Sequence, residues 1–132
     1  MRVVICGNAN LQEKLDYWKN YFERHDYEIM DYPRIVNDTK KLELYPAIRE
    51  EFYGNIKLSK VLFIMNEDYK DITGYIGSET FAELAYGLAL KLVDKKDIDL
   101  VLLKMPSEKV ACYEDIKLWL DLGWIRLFEE EI

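Results

Sequence analysis

Short, continuous apolar runs alternate along the chain with segments whose apolar residues recur every three or four positions. The first run, residues 2–6, is rich in β-branched residues and is followed by Gly7 and Asn8. A run of this length and composition predicts a buried strand that ends in a turn. The next residues carry apolar side chains at helical spacing, namely Leu11, Leu15, Trp18 and Phe22. The pattern therefore predicts a strand, a tight loop and an amphipathic helix.

The same alternation continues to the end of the chain. Four further strands are predicted, at residues 27–30, 61–65, 99–103 and 125–128. The run 61–65 is the most apolar and is the expected central strand. Three further helices are predicted, at residues 45–55, around a face made of Phe81, Leu84, Ala85 and Leu88, and at residues 107–122. Pro46 fits the first turn of its helix, and the polar segment 36–43 is predicted to be a loop.

Strand and helix thus alternate five times, which is typical of an α/β domain whose five-stranded parallel sheet is covered by helices on both faces. No repeat or linker divides the sequence, so residues 1–132 are expected to form a single domain. In such sheets, ligands bind beyond the carboxyl ends of the strands, near the point where strand order reverses. The loops expected to form a site are therefore residues 7–10, 33–44, 66–80 and 104–107.

Composition narrows the range of partners. Eighteen basic and 25 acidic residues give a net charge of -7 with no basic cluster, which disfavours nucleic-acid polymers and anionic membranes as partners. No apolar stretch is long enough to span a bilayer, and no export signal is visible. Cys6, Cys112 and the single His25 suit neither a disulfide framework nor a zinc site. We therefore expect a cytoplasmic protein that needs no metal or cofactor and acts on a small molecule.

The common nucleotide-binding fingerprints are absent from the sequence. Residues 7–11 read Gly-Asn-Ala-Asn-Leu instead of the Gly-x-Gly-x-x-Gly of dinucleotide-binding domains, and there is no P-loop. Receiver domains place paired acidic residues after the first strand, and flavodoxins place a Ser/Thr-rich phosphate loop there. Neither pattern occurs here, so the chemistry is expected elsewhere.

The most informative segment lies between the central strand and the third helix. Acidic residues follow the strand directly, and Gly74 and Gly77 would let the backbone approach a ligand. Ser78 and Thr80 lie at the expected helix start, and Glu83 lies in the expected first turn, where the helix dipole stabilises an anion. This segment therefore predicts a small-molecule site.

Glu83 has two interpretations. An ionised carboxylate can act as a nucleophile toward an electrophilic sugar carbon, with Asp68 or Asp71 facing it across a pocket to handle the leaving base. Alternatively, Thr80 and Glu83 match the capping box Ser/Thr-x-x-Glu, in which the glutamate only binds the free N–H of the cap. Spacing alone favours the capping box, because such boxes are far commoner than nucleophiles.

Residues 74–87, Gly-Tyr-Ile-Gly-Ser-Glu-Thr-Phe-Ala-Glu-Leu-Ala-Tyr-Gly, resemble the signature of the nucleoside 2-deoxyribosyltransferase superfamily. In that signature an acidic loop and a Gly-rich turn precede a helix that bears a nucleophilic glutamate. Residues 5–8, Ile-Cys-Gly-Asn, are similar to the first-strand turn of the related deoxynucleotide N-glycosidases. The resemblance implies a flavodoxin-like, or Rossmann-like, three-layer sandwich. It also implies a retaining double displacement in which Glu83 attacks the anomeric carbon of a nucleoside or nucleotide.

The same resemblance implies roles for the residues around Glu83. Asp68, or else Asn66, would contact the base and assist its departure. Ser78 would hold a sugar hydroxyl or a 5′-phosphate, and the remaining substrate contacts would come from Gly7, Asn8, Tyr75, Gly77 and Thr80. Family members assemble so that a neighbouring subunit completes the pocket, so a homodimer or larger homo-oligomer is expected.

Two other functions stay open at this point. The protein could be a non-catalytic nucleotide-binding or sensing module in which Glu83 is only a cap. It could also be an assembly protein whose site is closed by the side chains of Tyr75 and Phe81. Either ligand-binding interpretation requires an open pocket lined by Glu83 and a second carboxylate.

Overall fold

The computed structural model describes residues 1–130. Within these residues the strands are β1 Arg2–Gly7, β2 Glu28–Asp31, β3 Val61–Met65, β4 Asp99–Leu102 and β5 Arg126–Leu127. The α-helices are α1 Gln12–Arg24, α2 Lys41–Leu58, α3 Ser78–Leu92 and α4 Tyr113–Asp121, and a short 3-10 helix covers Asp38–Lys40. None of the helices in this part of the chain is long and apolar enough to cross a membrane.

The five strands form one parallel sheet in the order β2-β1-β3-β4-β5. Strands β1 and β3 pair in register from Val3 opposite Val61 to Gly7 opposite Met65. Strand β3 lies in the middle and is buried along its whole length, as its continuous apolar run predicted. The strand order is that of flavodoxin-like doubly wound folds, and it confirms the predicted three-layer α/β sandwich with a five-stranded parallel sheet.

Alternate strand residues point to opposite faces of the sheet, so each face builds its own core. On one face, side chains such as Leu62 and Ile64 pack with residues of α2, α3 and α4. On the other face, Phe63 packs against α1, where the ring centroids of Phe63 and Trp18 lie 4.8 Å apart. A continuous apolar run therefore supplies side chains to the helical layers on both faces of the sheet.

The polar segment 36–43 is not the loop that was predicted. The side chain of Asn37 accepts a hydrogen bond from the Thr39 N–H at 3.0 Å and starts the 3-10 helix, which leads directly into α2 at Lys41. Pro46 consequently lies inside α2 and not in its first turn. The carbonyl of Leu42 loses its helical donor, but Leu42 is 96% exposed, so water can reach this region. The first turn of α2 is exposed and carries no apolar stripe, so its polar sequence was wrongly interpreted as a loop.

The predicted helix at residues 107–122 begins only at Tyr113. Its first part forms turns, because the Ser107 N–H donates to the Thr73 carbonyl at 2.8 Å and the Ser107 hydroxyl accepts from the Lys109 N–H at 3.1 Å. The last strand is also shorter than predicted, since β5 pairs over two residues at the exposed edge of the sheet. Neither change alters the topology.

Candidate functional site

A cleft of about 960 Å³ opens at the carboxyl ends of β1 and β2 and the start of α3. Its walls come from residues 7–10, 32–38 and 77–80, together with Tyr75 and the side of α2 that carries Tyr45, Ile48, Arg49 and Phe52. Three of the four loops predicted to form a site therefore contribute to it. The fourth loop, residues 104–107, is not among the described residues that line the cleft.

Glu83 lines this cleft but does not cap the helix. Helix α3 begins at Ser78, with Gly77 as the capping residue and no side-chain cap, and the Phe81 N–H donates to the Gly77 carbonyl at 3.0 Å. Glu83 therefore lies in the second turn, and both its predicted position in the first turn and the capping-box interpretation are wrong. Because the helix begins at Ser78, two residues before Thr80, Glu83 lies beyond the unpaired N–H groups of the first turn and cannot cap them.

The Glu83 carboxylate is paired with a cation from another helix. Glu83 is 4% exposed, and its Oε2 lies 2.7 Å from Nη1 of Arg49 on α2. The same Nη1 lies 3.5 Å from Oε1 of Glu79, one turn earlier on α3. The Tyr45 hydroxyl donates to Oε2 of Glu79 at 3.1 Å. One guanidinium thus contacts two carboxylates that both line the cleft.

Burial and ion pairing act in opposite directions on Glu83. Burial raises the pKa of Glu83 to about 7, although the bond to Arg49 favours the ionised form and offsets part of the rise. Cys6, at the end of β1, contacts Glu83, and burial followed by the Glu83 charge raises the pKa of the Cys6 thiol well above its ordinary value. Cys6 is therefore a protonated thiol at neutral pH. Of the two groups, Glu83 is the one that titrates near neutral pH.

Arg49 is also surrounded by aromatic rings. Its guanidinium carbon lies 4.7 Å from the ring centroid of Tyr53, 5.3 Å from that of Phe52 and 5.9 Å from that of Tyr45. Within residues 1–130, its buried Nη2 has no hydrogen-bond partner. A buried donor without a partner is costly, so the guanidinium is not locked in place by a full set of hydrogen bonds.

Asp68 lies away from Glu83. Its side chain is 59% exposed, and its Oδ1 accepts from the Gly74 N–H at 3.0 Å and from Lys104 Nζ at 3.1 Å. The backbone bond from Gly74, followed by Lys104, lowers the pKa of Asp68. Asp68 is outside the described lining of the cleft, so the structure does not bring the two predicted catalytic carboxylates together.

Asn66 is a buried brace between two loops. Its side-chain nitrogen donates to the carbonyls of Lys104 at 2.8 Å and Gly74 at 3.3 Å, and its oxygen accepts from the N–H groups of Leu103 and Lys104. Gly74 has a φ of 63°, and a β-carbon there would come within 2.9 Å of the Pro106 backbone. Asn66 is also outside the described lining, so its fixed bonds support the loop and not a ligand.

The other predicted site residues do meet in the cleft. Its described lining includes Gly7, Asn8, Tyr75, Gly77, Ser78 and Thr80. A β-carbon on Gly7 would lie 3.0 Å from the Met65 carbonyl oxygen, so a side chain here would crowd β3 at the end of β1. The ring of Tyr75 packs against Tyr69, with centroids 5.5 Å apart.

The side-chain closure expected of an assembly protein does not occur in the described part of the chain. Tyr75 lines an open cleft, and Phe81 stacks on Trp119 with centroids 5.4 Å apart and ring planes at 13°. The second carboxylate required by the ligand-binding interpretations is present, but it is Glu79 and not Asp68.

Arg49, Glu79 and Tyr45 were not predicted from the sequence to be site residues. Tyr45 and Arg49 are four residues apart on α2, so they lie on one face of the helix beside apolar residues. A single cation on an otherwise apolar helical face was the available signal, because such a charge requires a buried partner. What the partner would be depended on the packing of α2 against α3.

Residues 1–130 contain no group of three or more His, Cys, Asp or Glu side chains arranged to hold a metal ion. Both cysteines are free thiols and both are buried. Comparisons with protein-family models, curated proteins and solved structures find no match to this chain.

Proposed function

We propose that the protein cleaves or transfers the N-glycosidic bond of a deoxynucleoside, nucleoside or nucleotide through a covalent glycosyl-Glu83 intermediate. The observation that carries the proposal is the placement of the Glu83 carboxylate. It lies in the wall of an open cleft at the carboxyl ends of a parallel sheet, buried from bulk water and oriented by a single cation. The proposal places the chain in the nucleoside 2-deoxyribosyltransferase superfamily that its 74–87 segment resembles.

In the first step, one carboxylate oxygen of Glu83 attacks the anomeric carbon of the sugar. Arg49 binds Oε2, so Oε1 is the oxygen left to form the new bond. As the bond between Oε1 and the anomeric carbon forms, the bond from that carbon to the base nitrogen breaks and its electron pair leaves with the base. The base takes a proton from water in the open cleft. Asp68 has no part in this step, because its carboxylate is bonded outside the cleft.

In the second step, the glycosyl ester is resolved. Water attacks the anomeric carbon to give the free sugar, or the nitrogen of a second base attacks to give a new nucleoside. In both cases the electron pair of the ester bond returns to Glu83 as a carboxylate, and the attacking group releases its proton to solvent. Two displacements at one carbon retain its configuration.

The rest of the cleft supplies contacts for the two halves of the substrate. Ser78 and Thr80, in the first turn of α3, offer hydroxyl groups to the sugar or to its 5′-phosphate. Gly7 and Asn8, at the end of β1, also line the cleft and would lie beside the sugar. The ring of Tyr75 provides a flat apolar surface for the base. We extend the proposal to a cytoplasmic homodimer in which a neighbouring subunit completes the pocket.

The test is base release from a panel of deoxynucleosides, nucleosides and their 5′-monophosphates, followed by chromatography. The wild type should release base, Glu83→Gln should reduce release by about 1,000-fold or more, and an intact-mass spectrum of quenched wild type should show one added glycosyl group. Glu51→Gln, an exposed change on α2, serves as the matched control and should behave as wild type. Base release by Glu83→Gln at the wild-type rate would contradict the proposal.

A second candidate function is a nucleotide-binding module without catalysis. The 2.7 Å contact with Arg49 favours it, because a carboxylate whose role is purely structural, holding α2 and α3 together, would have the same ion pair. Calorimetric titration with the same panel separates the two functions. Binding without base release or glycosyl adduct indicates a module, whereas adduct formation indicates the enzyme.

A further inference from the structure

Arg49 lies between two carboxylates of the same helix at unequal distances. Its Nη1 is 2.7 Å from Oε2 of Glu83 and 3.5 Å from Oε1 of Glu79. The nearer carboxylate is buried, whereas the side chain of the farther one is 58% exposed. The guanidinium is therefore bound to one partner and already within ion-pair distance of the other.

The surroundings of Arg49 allow it to change partners. The rings of Tyr53, Phe52 and Tyr45 surround the guanidinium and stabilise its charge, and Nη2 has no hydrogen bond within the described residues. Glu79 is held toward the guanidinium by the hydroxyl of Tyr45. The second partner is thus oriented before it is needed.

The proposed reaction changes the charge beside Arg49. When Oε1 of Glu83 bonds to the anomeric carbon and the base leaves with the electron pair of the broken bond, the Glu83 carboxylate becomes a neutral ester. Arginine stays charged at all physiological pH values. The Arg49 side chain is 12% exposed, so the loss of its nearer counter-charge is unfavourable, and in this cleft Glu79 is the carboxylate already in contact with it.

Resting on the proposed function, we propose that Arg49 is a positioning residue that orients the Glu83 carboxylate for attack and transfers its ion pair to Glu79 while Glu83 is an ester. The pair returns to Glu83 when water or a second base releases the carboxylate. Glu79 therefore pairs with Arg49 in the covalent intermediate. In the free enzyme, Arg49 pairs with the Glu83 carboxylate instead.

Among residues 1–130, three ionisable groups act on the pKa of Glu83. They predict the direction in which each substitution shifts the pH dependence of the rate. Arg49 on α2 lowers the pKa of Glu83, Glu79 on α3 raises it, and Cys6 on β1 stays a neutral thiol that donates to it. Attack requires ionised Glu83, so the rate rises with pH through the pKa of this group. Loss of Arg49 should move this acid limb to higher pH, whereas loss of Glu79 should move it to lower pH.

The kinetic experiment compares wild type with Arg49→Gln, Arg49→Lys and Glu79→Gln, using the best substrate of the base-release panel. We expect Arg49→Gln to lower kcat by about 100-fold with little change in KM and to shift the acid limb upward. Arg49→Lys should restore the position of the limb and part of kcat. Glu79→Gln should shift the limb downward and reduce the amount of glycosyl adduct in quenched samples. Limbs that coincide with wild type in both the Arg49→Gln and Glu79→Gln variants overturn the proposal.

A second experiment uses no substrate, because Glu83→Gln is a neutral stand-in for the ester. Urea unfolding gives the free energies of unfolding of Arg49→Gln, Glu79→Gln and the double variant, and hence the coupling energy between the two positions. This cycle is measured once in the wild-type background and once in the Glu83→Gln background. The coupling should be larger when Glu83 is neutral, since Arg49 then pairs with Glu79. Equal or smaller coupling overturns the change of partner.

The two experiments separate the failure of this proposal from the failure of the proposed function. If the wild type releases no base from any substrate, the glycosidic function and the kinetic role of Arg49 fail together, and the urea cycle still decides whether the guanidinium changes partner. If base is released but the pH limbs and the coupling stay unchanged, the function stands and the role of Arg49 is refuted.

Discussion

The buried carboxylate of Glu83 makes the folding stability depend on pH. Burial raises the pKa of Glu83 from 4.5 to about 7 in the folded protein, while the unfolded chain exposes the group to water. The folded state therefore holds this proton more tightly than the unfolded state does. Linkage then requires that the stability contributed by protonated Glu83 is fully present below pH 4.5 and is lost as the pH rises through 7.

The size of the effect follows from the two pKa values. Each pKa unit of difference corresponds to about 1.4 kcal/mol, so the free energy of unfolding should fall by about 3 kcal/mol between pH 4.5 and pH values above 7 on account of Glu83 alone. A domain of this size has a total stability of about 5–15 kcal/mol. The slope should therefore be large enough to measure.

Urea unfolding at pH 5, 6, 7 and 8 should be followed for wild type, Glu83→Gln and the exposed control Glu51→Gln. Glutamine keeps the shape of the side chain but cannot titrate, so its free energy of unfolding should lack the decline attributed to Glu83. Arg49 stays charged throughout this range, so it adds no titration of its own to either curve. Subtracting one curve from the other removes the titration of all other groups.

The decisive quantity is the stability of wild type minus that of Glu83→Gln. We expect this difference to fall as the pH rises from 5 to 8, while the difference between wild type and Glu51→Gln stays flat. A difference that stays constant or rises with pH would show that the ion pair with Arg49 outweighs burial. Glu83 would then be ionised at all working pH values.

Three substitutions test the packing that positions the site. Gly87→Ala should lower the free energy of unfolding in urea by about 1–3 kcal/mol, because its β-carbon would lie 2.8 Å from Leu62 and 2.9 Å from Leu100. Asn66→Ala should cost about 1–3 kcal/mol for each buried main-chain group left without a partner, and amide exchange after β4 should accelerate. Gly74→Ala should lower the thermal midpoint, since a φ of 63° and the 2.9 Å approach to a neighbouring backbone both oppose a side chain.

The sheet was largely predictable from the sequence because its strands are local, continuous apolar runs. The run at Val61–Met65 predicted the central strand, and the change from a continuous apolar run to helical spacing located α1 and α3. Segments without an apolar stripe were not predictable in this way. The 3-10 helix that leads into α2 begins with a cap by Asn37, and residues 107–112 depend on a bond to the loop before α3.

The candidate site was predicted in part. Its loops followed from the rule that ligands bind at the carboxyl ends of parallel strands, and Ser78, Thr80 and Glu83 do line the cleft. The role of Asp68 as a partner of Glu83 stays unsupported, because bonds to Gly74 and Lys104 hold it outside the cleft. No sequence spacing contains this information, since it depends on how two loops fold over each other.

The sequence by itself determined the class of the domain, the order of its elements and the segment that carries the candidate chemistry. Only the tertiary structure decided which charges meet. Arg49 and Glu83 are 34 positions apart, and they are paired at 2.7 Å because α2 packs against α3 on one face of the sheet. Local periodicity reports which face of a helix is buried, whereas an ion pair between helices depends on their relative position, which is set by the packing of the whole core.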